Sequence, residues 1–146
     1  YLDFDLLFSG YISSGVLTKP TSTTLIRPVS ENWKIVIKDT LLQISKEKNL
    51  IIIDSLNGLF SLFEDKDAGR IVNSIIMLFG CLARESDSNV LFVSVSKQKK
   101  DEGWILSPTG RKILDTKKMT KISLRKTDST LTTDVLNEKN ILAAST

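Results

Sequence analysis

Histidine is absent from this sequence of 146 residues. Its absence excludes His-containing triads, histidine general bases and zinc sites with imidazole ligands, so any chemistry falls to carboxylates, Lys, Arg, Ser and Thr. Cysteine is almost absent as well. The single Cys81 allows neither a disulfide framework nor a cysteine metal cluster, as expected of a reducing cytosol. Its place in the apolar run IIMLFGCLA marks it as a small core residue. No apolar run approaches the roughly 18 to 20 residues that cross a bilayer. The opening YLDFDLLFSG carries acids where a secretory signal carries bases. The expectation is a cytoplasmic protein, or a nuclear one in a eukaryote, with no membrane partner.

What is present is an ordinary globular composition, 41% hydrophobic, sufficient for one domain over residues 1–146 with a real core. Because Tyr1 already stands inside a strand-like run with no initiating Met, this domain is expected to be missing an upstream segment. The net charge of +3 is modest but uneven. Lys97, Lys99, Lys100, Arg111, Lys112, Lys117, Lys118, Lys121, Arg125 and Lys126 face only Asp101, Glu102 and Asp115 in the same stretch. Such an excess suits a polyanion partner, and equally a solvated surface.

YLDFD reads as the end of a buried strand that carries Asp3 and Asp5 to its rim. Loop and short helix follow from Leu6 to Leu17, then TTLIRP as a brief strand stopped by Pro28. Ser30 is placed to cap a helix whose apolar face is Trp33, Val36, Ile37, Leu41 and Ile44. LIIID, residues 50–54, has the continuous β-branched pattern of a central parallel strand. A second helix starts at an Asp67 cap and presents Ile71, Ile75, Leu78 and Leu82 up to about Arg84. VLFVSV, residues 90–95, is the next strand, and TKISLRK with LTTDVL reads as a hairpin at the sheet edge. Strands alternating with helices predict an α/β, doubly wound, mainly parallel sheet flanked by helices, with a C-terminal antiparallel hairpin at its edge.

In open α/β sheets ligands bind beyond the carboxyl ends of the strands. Three places qualify: Asp3 with Asp5, Asp54 with Ser55, and Ser94 through Gln98. Four apolar residues followed by Asp54 have the form of a Walker B strand, whose carboxylate orients the water shell of Mg2+ beside nucleotide phosphates. A carboxylate that merely caps the next turn has the same pattern. Asp5, on a neighbouring strand tip, could polarise a water, or bond only to backbone. Gln98 could sense a γ-phosphate, or be surface.

In order, these pieces resemble the RecA/RadA recombinase superfamily, including archaeal RadA paralogues and KaiC-like P-loop ATPases. The resemblance runs through YLDFD, LIRPVSENWKIVI, LIIIDSLNGLF, NVLFVSVSKQ and SPTGRKILDTKKMTKISLRK, most of the chain. It implies a RecA-like ATPase core that uses ATP and Mg2+. Asp54, with Ser55 beside it, becomes the residue at the magnesium shell and nucleotide, and Gln98 the phosphate sensor. The family's catalytic carboxylate, usually Glu, falls at Asp5, one methylene shorter.

The family's DNA-facing loops correspond to the segments around Ser61 to Arg70 and from Lys99 to Arg111. In the second, Lys99, Lys100 and Arg111 offer cations and Trp104 a ring for single-stranded DNA. Trp104 could equally pin that loop to the domain. The family's GxxxxGK[ST] sequence is missing from these residues and is expected just upstream. The function implied is a DNA-binding accessory ATPase of recombinational repair that associates with other RecA-fold subunits. The alternatives are a non-catalytic RecA-fold assembly subunit, comparable to those of Elongator, and a KaiC-like signalling ATPase.

Overall fold

The computed structural model describes residues 1–63, 67–99, 103–106, 119–136 and 142–145. They divide into two compact units, the first made by Tyr1–Val95 and the second by the described residues from Ser96 onward, residues 107–109 aside. Both belong to a mixed α/β chain.

In the first unit, β1 (Leu2–Asp3), β2 (Leu50–Asp54) and β3 (Asn89–Phe92) form a parallel sheet in the order β1-β2-β3. Leu2 pairs with Ile53 and Asp3 with Asp54, while Ile51 and Ile52 pair with Val90 and Leu91. The predicted TTLIRP strand is reduced to a single parallel bridge between Ile26 and Leu2. Ile26 exchanges two backbone hydrogen bonds with β1, donating to Tyr1 O and accepting from Asp3 N, before Pro28 ends the possibility of a ladder.

Parallel strands require crossovers, and helices supply them. Between β1 and β2 lie α1 (Leu7–Ser13) and α2 (Trp33–Ile44); between β2 and β3 lie α3 (Leu56–Ser61) and α4 (Ala68–Glu85). The α2 face is as predicted, with Ile37 and Ile44 buried and Thr40 between them, its hydroxyl bonded back to Val36 O. Its start is not. The cap position is Asn32, whose side chain accepts from Val29 N, and Ser30 stands outside the helix.

The α4 stripe is also rotated from the expected one. Val72, Ile75, Ile76, Phe79 and Ala83 are buried with Ala68, whereas Leu78 is 52% exposed and Cys81 is exposed, so neither is the core residue its neighbours implied. Over the whole of α4 the polar residues Arg70, Asn73, Ser74, Arg84 and Glu85 share one face, which places the apolar stripe opposite them at Ala68, Val72, Ile75, Phe79 and Ala83; the expected face of Ile71, Ile75, Leu78 and Leu82 ran along one edge of that stripe. At its centre the Phe79 ring meets Phe92 of β3 edge to face at 6.5 Å. Leu2, Ile44, Ile53, Leu59 and Phe79 form the fully buried centre of this unit.

In the second unit, β4 (Ser96–Lys99) and β5 (Gly103–Leu106) form an antiparallel hairpin. Of the segment expected as a DNA-facing loop, Lys99 and Gly103–Leu106 are strand. The C-terminal hairpin is present as β6 (Lys121–Lys126) and β7 (Leu131–Leu136), and β8 (Leu142–Ser145) adds a third strand. Among the described residues these make a sheet of their own, order β6-β7-β8, instead of lying on the edge of the parallel sheet. The Asp134 side chain is buried there and Arg125 donates to its Oδ2 through both Nε, at 2.7 Å, and Nη2. A buried carboxylate on β7 is tolerated because a guanidinium on the neighbouring strand neutralises it.

Candidate functional site at the carboxyl ends of the parallel strands

The register of β1 with β2 brings acids together. Asp3 lies opposite Asp54, so two successive parallel strands end in carboxylates at one rim of the sheet, and Asp5 follows just beyond β1. Phe4 N donates to Asp54 O at 2.6 Å, which extends the pairing toward Asp5.

The three acids sit in different surroundings. Asp3 is fully buried; its Oδ2 accepts from Ser9 N at 2.7 Å, and its Oδ1 has no hydrogen-bond partner among the described residues. Asp54 is half-buried, and the Tyr1 hydroxyl donates to its Oδ2. Asp5 is exposed, and Ser55 Oγ donates to its Oδ2 at 2.5 Å. Tyr1 itself stacks on Phe8, with ring centroids 4.4 Å apart. Burial first, then the hydrogen bond to Asp54 and the charges of Asp54, Asp3 and Asp5, push its phenol well above the ordinary tyrosine value.

Ser55 is the junction of the site. Its hydroxyl accepts from Asn57 N at 3.1 Å and Gly58 N at 3.2 Å, capping α3, while donating to Asp5. The peptide bond between Asp54 and Ser55 is cis. Gly58 comes so close to the turn after β1 that a Cβ there would lie 2.8 Å from Phe4 Cβ and 2.9 Å from Phe4 C, and would run into Asp5 Oδ1. Asn57 closes the arrangement on the β3 side, where its Oδ1 accepts from Val95 N at 2.8 Å and from Ser94 Oγ at 3.2 Å.

Asp5, Asp54 and Ser55 are thus brought together as the sequence reading expected. Gln98 and Lys99 are on β4 of the second unit, where Gln98 pairs in register with Trp104 and Lys99 with Gly103. Lys100 and Arg111 lie outside the described residues, as does most of the Gly-containing segment after Leu106. Around the other proposed loop, Ser61 ends α3 and Arg70 is on α4, in an exposed ion pair with Asp67 at 3.3 Å.

Comparison with protein families, curated proteins and solved structures yields no match. Among the described residues no group of three or more His, Cys, Asp or Glu side chains is arranged to hold a metal directly. No helix among them is long and apolar enough to cross a membrane.

Sequence reasoning missed Tyr1, Asn57 and Gly58. One signal was legible: Ser-x-Asn-Gly directly after an apolar strand is a capping serine followed by a residue fit for close approach. The Tyr1 contact had none, because it depends on the register of β1 against β2.

Proposed function

We propose that the chain is a RecA/RadA-like domain with a doubly wound sheet, acting as a DNA-binding accessory ATPase in recombinational repair. The observation that carries this reading is the register pairing of Asp3 with Asp54, with Asp5 tied to Ser55 beside them. Carboxylates of neighbouring parallel strands then share the rim where such sheets bind ligands.

The donor chemistry of Asp54 supports an outer-shell role. Its carboxylate is half-buried at a strand tip and already accepts an O–H, from Tyr1, the kind of donor that a metal-bound water also presents. Bound with ATP, hydrated Mg2+ would neutralise charge on the β- and γ-phosphates. In this reading Asp5 orients and polarises the attacking water, and its short side chain makes turnover slow. The resemblance gives Gln98, on β4, the role of γ-phosphate sensor. The principal phosphate grip would come from a GxxxxGK[ST] sequence that these residues do not contain. Lys99, Lys100, Trp104 and Arg111 would hold single-stranded DNA.

The test is phosphate release from Mg·ATP by the full-length protein. Asp54→Ala is expected to lower the rate by about 100-fold or more; release at the unaltered rate would remove the assigned role. One observation favours the assembly-subunit reading: the Ser55 hydroxyl already engages Asp5, the carboxylate that would have to polarise the water. That reading predicts no nucleotide binding by the full-length protein and stable association with other RecA-fold subunits.

A further inference from the structure

We propose that Asn57 is a positioning residue that couples the Asp5–Ser55 pair to the exit of β3, the point from which the chain enters the β4–β5 hairpin. The functional meaning of this coupling rests on the reading that Asp5 and Asp54 face the ligand. Its geometry does not.

The connection is short and continuous. Asp5 Oδ2 accepts from Ser55 Oγ, and the same hydroxyl oxygen accepts from Asn57 N and Gly58 N. The Asn57 backbone is therefore held by the group that holds Asp5. From that backbone the side chain reaches across to β3, where Oδ1 accepts from both Val95 N and Ser94 Oγ. Val95 is the last described residue of the first unit, and β4 begins at Ser96. A second tie runs in parallel, because Leu56 N donates to Val93 O at 2.8 Å.

A side-chain oxygen that satisfies a backbone N–H just past the last ladder pair of β3 fixes the direction in which the chain leaves the sheet. A change at the acid pair that turns the Ser55 hydroxyl shifts the first turn of α3, and with it this oxygen. The message arrives at Val95, three residues before Gln98. Asn is suited to the task because its amide oxygen accepts twice while its backbone N–H stays in the cap.

Amide hydrogen exchange of the full chain without nucleotide tests the coupling separately from any ATPase role. Ser55→Ala is expected to speed exchange at Val95 by about fivefold or more, with Val93, which donates to Ile53 O in the sheet, unchanged. Ser55→Thr, which keeps the hydroxyl, should restore protection, and Asn57→Asp, which keeps the acceptor, should protect Val95 where Asn57→Ala does not. In the Asn57→Ala background, Ser55→Ala should add nothing at Val95. An unaffected Val95, equal acceleration at Val93 and Val95, or a full Ser55→Ala effect without Asn57 would each overturn the proposal. If the coupling holds while ATP hydrolysis is absent, only the ATPase reading fails.

Discussion

Gly58 stands where α3 approaches the turn after β1, and its missing Cβ is what lets Asp5 and Ser55 bond. Gly58→Ala is expected to destabilise the fold by about 1 to 3 kcal/mol in urea unfolding, because the added carbon meets Phe4 backbone and side chain with little room to shift. A neutral effect would mean that the approach is looser than described. Tyr1 gives a pH-dependent prediction with a definite sign. An unfolded chain releases the phenolic proton near about pH 10, whereas the fold, which raises that value, keeps it to higher pH. Over that window the unfolded chain holds fewer protons, so stability falls as pH rises. Tyr1→Phe should flatten this alkaline loss; curves that stay parallel to the unaltered protein would show that the phenol and Asp54 are not bonded.

At the scale of the element, α4 separates what is apolar from what is buried. Phe79 is fully buried against β3, and Phe79→Ala is expected to cost about 3 to 5 kcal/mol. Leu78, its sequence neighbour, is 52% exposed, and Leu78→Ala should stay within about 0.5 kcal/mol. Chemical denaturation of the two variants measures both, and equal losses would mean that the stripe is Leu78 with Leu82 after all. Helix α3 makes the complementary point. It is only six residues long, too short to persist by propensity alone. The Ser55 cap and the burial of Leu56 and Leu59 hold it at the strand tip.

At the largest scale, the basic excess of the sequence falls in the second unit, although both units carry acids and bases. Asp3, Asp5 and Asp54 gather at the sheet rim of the first, while Lys97, Lys99, Lys121, Arg125 and Lys126 belong to the second. If the second unit holds single-stranded DNA, binding weakens steeply with salt. Replacing Lys99, Lys100 and Arg111 by Ala should lower the slope of log affinity against log salt by about 0.7 for each phosphate that is no longer neutralised. Fluorescence anisotropy that detects no binding at low salt would remove the DNA role.

Elements that rest on local signals could be read from residue order alone. LIIID, with its unbroken β-branched run, became β2; the three- and four-residue spacing of Ile37, Leu41 and Ile44 became the face of α2; and the alternation in KISLRK and LTTDVL became an antiparallel pair. The gathering of Asp5, Asp54 and Ser55 at one rim was legible because each follows or ends an apolar strand. Long-range packing set which edge of the α4 stripe stays outside, leaving Leu78 exposed while Phe79 meets Phe92. Only the tertiary structure decided that β6-β7 joins β8 in a separate sheet. It also decided that Tyr1 meets Asp54 and Asn57 meets Val95, because pairings of residues far apart in the chain follow from strand register and helix placement, which no local pattern encodes.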